Sequence, residues 1–371
     1  MMISLTHFLL SLRKTIFLGI VLLWSTVCLG QSSFVQAYRD FRGYLFVFEN
    51  GAPRQLESQA VSSFKSKGPY VAYVTSGNNL KVYYNTEVFD LGDATNTSYE
   101  ISNELMIYKR DEVLAVFDKG KMTRLTYFIQ DYILTDKMVV FRDRNQGVLR
   151  TYANGEIQDL EYTLIGALGT FAAGENTVAY TNSSNYFKIF HEGETFEIDN
   201  INPIQVSAGK NIVAYVDGGE RTLKVFYNNK ILTLEQITPL SFLAGDDLVA
   251  YVTDENSFKL FADGKLMKAE SYKPDFYAVK DRSVLFFIDS KLQLLQNGMR
   301  YELDNFMPKS YKMSEDNIAW VDPANRLHLF SNGKSKQVTT ELFTDYDLNG
   351  DILRFTTAEG ASTIYYQGKF Y

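Results

Sequence analysis

A two-residue turn recurs along this chain at nearly constant spacing, and successive copies lie 34 to 38 residues apart. The second residue of the turn stands at ten positions: Gly51, Thr86, Gly120, Gly155, Gly193, Asn229, Gly264, Gly298, Gly333 and Gly368. A fixed period of this length is typical of one supersecondary unit repeated in series. The sequence therefore predicts a repeat protein of ten units. A repeat scaffold by itself says little about what it binds.

An apolar strand precedes each turn, and a half-exposed strand follows it. Three residues before the turn position stands an aromatic residue or, once, a leucine: Phe48, Tyr83, Phe117, Tyr152, Phe190, Phe226, Phe261, Leu295, Phe330 and Tyr365. Dipeptides such as Asn154-Gly155 and Asp263-Gly264 favour the positive φ angles of a type I′ hairpin. We call the two strands of this hairpin c and d.

Two further strands precede the hairpin in each repeat. Strand b is marked by an aromatic residue 12 to 14 positions before the turn: Tyr38, Tyr73, Tyr108, Phe141, Tyr180, Tyr215, Tyr251, Phe286, Trp320 and Phe355. Strand a, of small and mixed residues, comes before it, as in residues 241–245. Repeat 1 has no obvious strand a, and strand d of repeat 10 is short. Each complete repeat is predicted to be a four-stranded antiparallel meander.

Four short strands in a repeat of about 35 residues resemble a β-propeller blade. Over residues 32–371 the chain is similar to the β-propeller superfamily and WD40-like in architecture. It lacks the Gly-His and Trp-Asp pairs of WD repeats, the double glycine of kelch repeats and the Asp-box, so the subfamily stays open. The resemblance implies an all-β fold of about ten blades. One ten-bladed ring is favoured because the spacing never breaks, and two five-bladed rings are the alternative; an open solenoid is disfavoured because exposed edges aggregate.

Residues 1–30 are predicted to be a signal peptide, leaving a propeller domain at residues 31–371. Arg13 and Lys14 precede an apolar core at residues 15–24, and small residues suited to cleavage follow it. The core is too short to span a bilayer, and no later segment is apolar for long enough to do so. Lipidation at Cys28 is disfavoured because the residues before it do not match a lipoprotein signal. We therefore expect an extracytoplasmic protein, either periplasmic or secreted.

Composition narrows the possible partners. Cys28 is the only cysteine and leaves with the signal peptide, so no disulfide is available, which favours a bacterial envelope or secreted protein over a secreted eukaryotic one. Loss of Arg13 and Lys14 leaves 35 basic against 44 acidic residues, a net charge of −9. Nucleic-acid binding calls for the opposite sign, so it is not expected. We expect a monomer that binds a protein or glycan partner.

The sequence offers little material for catalysis. After signal cleavage the only histidines are His191 and His328, both expected to face solvent, and there is no Gly-x-Ser-x-Gly elbow. No spacing of His, Cys or carboxylates is typical of zinc, so no catalytic residue, metal or cofactor is predicted. The segment from Asp345 to Asp351 imitates the opening of a calcium loop, but its twelfth position is Thr356 instead of glutamate. An ordinary turn between strands a and b is the favoured interpretation.

Antiparallel strands place their connections on two opposite surfaces. We call the surface with the b–c loops and d–a connections the loop face, and the surface with the a–b and c–d turns the turn face. On the loop face, the b–c loops vary and carry charge, as at residues 142–146, 182–185, 217–221 and 253–256. We expect their acids, Asp217 among them, to be exposed. Pro203, Pro239, Pro274 and Pro308 stiffen four d–a connections. Variable loops on a rigid scaffold are the usual place for recognition.

These patterns predict a non-enzymatic propeller that binds a protein or other macromolecule through its loop face. The alternative is a glycan-active enzyme or a lectin that uses carboxylates and aromatic rings on the same face, since its two acids need not be adjacent in sequence. Individual ligand-binding residues are not assigned by the sequence.

Overall fold

The structure is a computed structural model that describes residues 34–162 and 171–371. Within these two ranges every regular element is a β-strand. Among the same residues there is also no helix long and apolar enough to cross a bilayer. The predicted signal peptide at residues 1–30 lies outside the described residues, and its cleavage stays a prediction.

Thirty-eight strands cover the described residues. Repeats 1 to 5 contain β1 Gln36–Arg39, β2 Tyr44–Glu49, β3 Ala52–Lys67, β4 Tyr70–Thr75, β5 Asn79–Tyr84, β6 Glu87–Asp93, β7 Thr97–Ile101, β8 Met106–Arg110, β9 Val113–Asp118, β10 Lys121–Thr126, β11 Ile129–Leu134, β12 Met138–Asp143, β13 Val148–Ala153, β14 Glu156–Tyr162, β15 Phe171–Ala173, β16 Thr177–Thr181, β17 Phe187–His191 and β18 Glu194–Asp199. Repeats 6 to 10 contain β19 Gln205–Ala208, β20 Ile212–Val216, β21 Leu223–Tyr227, β22 Lys230–Glu235, β23 Ser241–Ala244, β24 Leu248–Val252, β25 Phe258–Ala262, β26 Lys265–Glu270, β27 Phe276–Lys280, β28 Ser283–Ile288, β29 Lys291–Gln296, β30 Met299–Asp304, β31 Ser310–Ser314, β32 Asn317–Val321, β33 Leu327–Ser331, β34 Lys334–Thr339, β35 Phe343–Asn349, β36 Ile352–Thr357, β37 Ser362–Tyr366 and β38 Lys369–Phe370.

The described strands form nine antiparallel sheets, of which eight are four-stranded and the first, β1 to β6, is six-stranded. The 16-residue strand β3 joins two repeats, since it pairs with β2 near Ala52 and with β4 near Lys67. It serves as strand d of repeat 1 and as strand a of repeat 2. The predicted four-stranded meander is confirmed, but the ten repeats lie in nine sheets because β3 fuses the first two.

The ten c–d turns have the predicted hairpin geometry. Both turn residues have positive φ in every repeat, as at Asn50 (52°) and Gly51 (81°). The two substitutes for glycine adopt the same conformation, with φ of 69° at Thr86 and 56° at Asn229. A β-branched residue is strained in this region, so Thr86 shows how strongly the flanking strands impose the turn.

The hydrophobic core lies between neighbouring blades. Strands b and c are buried on both faces, as in the fully buried strand β20. Phe226 of repeat 6 is 1% exposed and packs with Ile189 of repeat 5 and with the ring of Phe196 at 5.1 Å. Trp320, the strand b aromatic of repeat 9, is also fully buried. The strand aromatics of the sequence are therefore core residues, as predicted.

The first and last repeats pack together, so the array closes as a propeller ring. Phe48 of repeat 1 contacts Ile352 and Ile364 of repeat 10. The Asn349 side chain donates to the carbonyl oxygens of Val35 at 2.6 Å and Gly68 at 3.0 Å, and accepts from the Gly68 N–H at 2.8 Å. We call this contact of repeats 1 and 2 with repeat 10 the seam. The alternative of two five-bladed rings is not what the structure shows.

Strand a is the innermost strand of each sheet, and the a–b turns meet across the ring axis. Asn103 Nδ2 of repeat 3 lies 3.2 Å from Glu315 Oε1 of repeat 9. Lys280 Nζ of repeat 8 lies 3.8 Å from Asp136 Oδ2 of repeat 4. Strand d is outermost, so it forms the rim of the ring.

Candidate binding face

The b–c loops on the loop face share a common base although their tips differ in sequence. In seven repeats the residue two positions after the strand b aromatic accepts a hydrogen bond from a backbone N–H of its own loop: Asp40, Thr75, Asp143, Asn182, Asp217, Thr253 and Asp322. Asx and Ser/Thr turns of this kind stabilise loop backbones locally. The loops differ at their tips, while their bases are alike.

Asp217 differs from the exposed acid that its loop position suggested. It is 4% exposed and accepts from the N–H groups of Gly219 at 2.9 Å and Glu220 at 2.8 Å. Burial alone would raise the pKa of this carboxyl, but the Lys224 ammonium and the two N–H donors lower it below the usual value. Asp217 therefore supports its loop, and only Glu220 in this loop is an exposed acid.

A row of exposed apolar side chains lies on the d–a connections of the same face. Eight residues after the turn position stand Phe128, Ile201, Ile237, Tyr272 and Phe306, all exposed. Tyr272 reaches 71% exposure. The last four lie in consecutive connections, each two residues before one of the four prolines. We call Ile201, Ile237, Tyr272 and Phe306 the apolar arc. Exposed apolar groups repeated in one register are typical of an interaction surface.

A second exposed apolar row lies on the rim and has a simpler cause. Two residues after the turn position, strand d carries Val88, Met122, Ile157, Ile231 and Leu266. These strands are the outermost of their sheets, where neighbouring blades diverge and cannot cover each other. The rim row therefore follows from the ring geometry, whereas the apolar arc lies on loops that could have been polar.

The prediction that the two histidines face solvent is wrong. His191 is 7% exposed, and its Nδ1 lies 3.1 Å from Asn229 Oδ1 of the next repeat. His328 stacks on Trp320 at 5.1 Å and its Nε2 lies 3.2 Å from Asp322 Oδ2. Both rings pack against large core residues because strand c is buried between two blades. Within the described residues neither has a serine or cysteine hydrogen-bonded to it, as nucleophilic catalysis would need.

The calcium-like segment lies on a strand and its turn. Asp345 and Asp347 belong to β35, where Arg354 Nη2 lies 2.6 Å from Asp345 Oδ2 and Lys312 Nζ lies 3.5 Å from Asp347 Oδ1. Gly350 follows with φ of 58° at the turn to β36. Both acidic side chains are thus paired with cationic side chains of the protein, and the segment forms a strand where a calcium site would need a loop that wraps the ion.

An acidic cluster lies near the axis on the turn face, and the sequence did not predict it. Carboxylate oxygens of Asp136, Glu175 and Asp281 lie within 4.8 Å of one another. Burial, followed by the nearby charges of Asp246 and Asp136, raises the pKa of Glu175 to about 7. These residues come from the a–b turns of separate repeats, so no local sequence spacing could reveal the cluster. Its oxygens are of the type that binds divalent cations.

A second group, Asp304, Asp322 and His328, also brings possible metal-binding atoms together. Its atoms already have partners: Trp320 Nε1 donates to Asp304 Oδ2 at 3.0 Å, and Asp322 accepts from the N–H groups of its loop and from Arg326 Nε at 2.5 Å. This group is therefore explained as the support of one b–c loop.

Comparison with solved structures finds distant likenesses. The chain resembles the computationally designed Ika8 protein (13% identity, covering 84% of this chain and 97% of that one, TM-score 0.38). It also resembles the CRINKLY WD40 ectodomain of the Arabidopsis thaliana receptor kinase ACR4 (9%, 74% and 94%, 0.37) and BamB from Moraxella catarrhalis (11%, 81% and 95%, 0.36). These likenesses are too distant to indicate a function. No curated protein matches the sequence.

The family comparison is more specific. The model of the 10-bladed beta propeller domain matches residues 30–371, which is nearly all of the chain. The ten turn positions and the closed ring are what such a domain requires. The chain therefore belongs to the 10-bladed beta propeller domain family.

Proposed function

We propose that this protein is an extracytoplasmic, non-enzymatic scaffold that binds a protein partner through the apolar arc on its loop face. The proposal counts the six-stranded sheet as two blades of one ten-bladed ring. The observation that carries it is the repetition of an exposed large apolar side chain in four consecutive d–a connections.

The spacing of the arc favours a macromolecular partner. Each of its residues lies on a different repeat, so neighbouring members of the arc are a whole blade apart. A small molecule cannot contact all four. A protein surface can cover them together, and burial of large apolar side chains is what anchors protein interfaces.

Charge supports a protein over a nucleic acid or an anionic membrane. The full sequence carries 44 acidic against 37 basic residues. Exposed acids such as Glu220, Asp254 and Glu255 stand on the neighbouring b–c loops. Phosphate-rich surfaces would be repelled by this balance, whereas a protein with an apolar patch flanked by basic residues complements it.

The glycan-active alternative has weaker support on this face. Among the described residues, two groups bring carboxylates together with other possible metal-binding side chains: the axial cluster lies on the turn face, and the group of Asp304 and Asp322 supports a loop. An activity screen of the purified protein against polysaccharides tests this alternative directly, and turnover would contradict the non-enzymatic proposal.

The proposal is tested with a photo-crosslinking amino acid placed at Tyr272 or Phe306 of the protein in its native envelope. We expect one adduct of the same mass from both positions. Val88 and Met122 on the rim serve as matched sites of similar chemistry and exposure, and they should give no such adduct. An equal adduct from the rim, or none from the arc, would contradict the proposed face.

Purified partner then allows a quantitative comparison. Changing Ile201, Ile237, Tyr272 and Phe306 to Ser should weaken binding by at least about 100-fold, because interface anchors contribute more than about 1 kcal/mol each. The same change at Val88, Ile157, Ile231 and Leu266 removes as many exposed apolar groups from the rim. That control should bind as the unaltered protein does.

A further inference from the structure

Among the described residues, which begin at Phe34, repeat 1 has no strand a. The neighbouring inner strands are the second half of β3 and strand β35. A cavity of about 320 Å³ opens between them in the wall of the ring, on the inner side of the seam. We call it the seam cavity. Its volume is at the lower end of the range for small-molecule sites.

Positive side chains dominate the lining of the seam cavity. Lys65 and Lys67 of β3, Lys312 of β31 and Arg354 of β36 face two carboxylates, Asp345 and Asp347. Both carboxylates are neutralised, as described above, by Arg354 and Lys312. Two positive charges therefore remain without a matching carboxylate.

The two remaining charges are Lys65 and Lys67. Lys65 Nζ donates to the backbone oxygen of Tyr99 at 3.0 Å, and among the described residues no carboxylate lies within ion-pair distance of either lysine. They leave a local positive charge on a protein whose net charge is −7. They attract an anion of charge about −2.

Buried donors at the cavity point to the same conclusion. Arg354 is 9% exposed, and its Nε is buried without an acceptor. Arg39 Nε is also buried without one, and the guanidinium groups of both arginines lie over the ring of Phe64, at 5.2 Å for Arg39 and 5.8 Å for Arg354. A buried N–H with no partner costs about 1–3 kcal/mol. An acceptor oxygen bound in the cavity would offset this cost at Arg354.

We propose that the seam cavity binds a small organic dianion that carries phosphate or carboxylate groups on a flat apolar body. Lys65 and Lys67 neutralise the charge, and Arg354 donates from its Nε. Phe64 and Tyr346, which also line the cavity, contact the apolar part. This site lies inside the ring and is separate from the apolar arc, so it does not depend on the proposed partner.

Calorimetric titration with phenyl phosphate and with phthalate tests the proposal and distinguishes its two anion types. Dimethyl phthalate, which has the same ring without the charges, is the uncharged comparison. We expect at least one dianion to bind with a dissociation constant below about 1 mM and the diester not to bind. Absence of binding by both dianions, or equal binding of the diester, would overturn the proposal.

Variants locate the binding. The double change Lys65→Gln and Lys67→Gln should weaken dianion binding at least tenfold. Lys230→Gln with Lys265→Gln removes the same charge from exposed positions on the rim and should leave the affinity unchanged. Equal losses in the two variants would show general charge attraction and contradict a built site. Arg354→Gln should also weaken binding, and its thermal unfolding is measured first because Arg354 holds Asp345.

Discussion

An interior repeat and the seam are held by different kinds of bond. In repeat 6, strand a pairs with strand b through a backbone ladder from Gln205 to Ala208. At the seam β1 has no such partner among the described residues, and side chains link it to its neighbours: the Ala37 N–H donates to Ser66 Oγ at 3.2 Å, and Gln36 Nε2 donates to Asp347 Oδ2 at 3.2 Å. A ladder spreads its stability over many equivalent bonds, whereas the seam depends on a few individual residues.

The largest expected effect is in the interior. Phe226→Ala should lower the free energy of unfolding by roughly 3–5 kcal/mol, the usual cost of deleting a buried aromatic ring. Phe226 packs between repeats 5 and 6, so the ladder around it cannot compensate. Denaturant titration measures the change. A loss below about 1 kcal/mol with an unchanged slope would contradict the core position.

The seam should be more sensitive to a single polar change. Asn349→Ala leaves the Gly68 N–H and the Val35 carbonyl without this partner, and we expect a loss of about 3 kcal/mol. Asn176→Ala is the matched interior change, because Asn176 bonds Asn211 of the next repeat at a half-buried a–b turn. There we expect about 1 kcal/mol. Equal losses would remove the distinction between seam and interior.

The acidic cluster on the axis gives a smaller, pH-dependent effect. Glu175 has a pKa of about 7 in the folded protein, above the usual value of 4.5, so the folded state holds its proton more tightly. Ionisation of the Glu175 carboxyl therefore destabilises the folded protein progressively as pH rises from about 4.5 to 7. Glu175→Gln should stabilise by about 1 kcal/mol at pH 8, a value reduced because the side chain is partly solvated, and change little at pH 4.5.

Thermal unfolding of this variant across pH measures the difference. Glu192→Gln, an exposed change in the same repeat, is the control and should give a pH-independent result. A stabilisation that is equal at both pH values would mean that burial and the nearby acids do not raise the pKa of Glu175.

The smallest effect is expected at the loop tips. Asp254→Asn together with Glu255→Gln should change stability by less than about 0.5 kcal/mol, since both side chains are exposed. Calorimetric unfolding of the variant and the unaltered protein measures this change in stability. A larger loss of stability would mean that Asp254 and Glu255, and not only Thr253, hold this loop in place.

The sequence predicted the repeated parts of the molecule well. The turn residues and the strand aromatics are local signals, and the structure confirms them. The predictions that Asp217 is exposed and that His191 and His328 face solvent were wrong. Burial of a side chain depends on contacts that the local sequence does not show. The position of Asp217 two residues after Tyr215 repeats in other units, so its role as a loop base was visible in the register.

Other features depend on contacts that no repeat contains by itself. The fusion of two repeats through β3 depends on an unbroken strand where other repeats have a connection. The axial cluster joins a–b turns of repeats 4, 5 and 8, and the seam cavity requires both ends of the array. Such sites depend on how the ring closes, and the spacing of residues within one unit carries no information about it.

The shared base of the b–c loops has a consequence for how this surface can change over time. In seven repeats the loop is held by its first polar residue, so the backbone of the loop base does not depend on the identity of the residues at the tip. Substitutions and short insertions at one tip should therefore leave the adjacent blades intact. The loop tips can therefore change in sequence without a loss of fold stability, and each such repeat offers one site at which binding specificity can be altered independently.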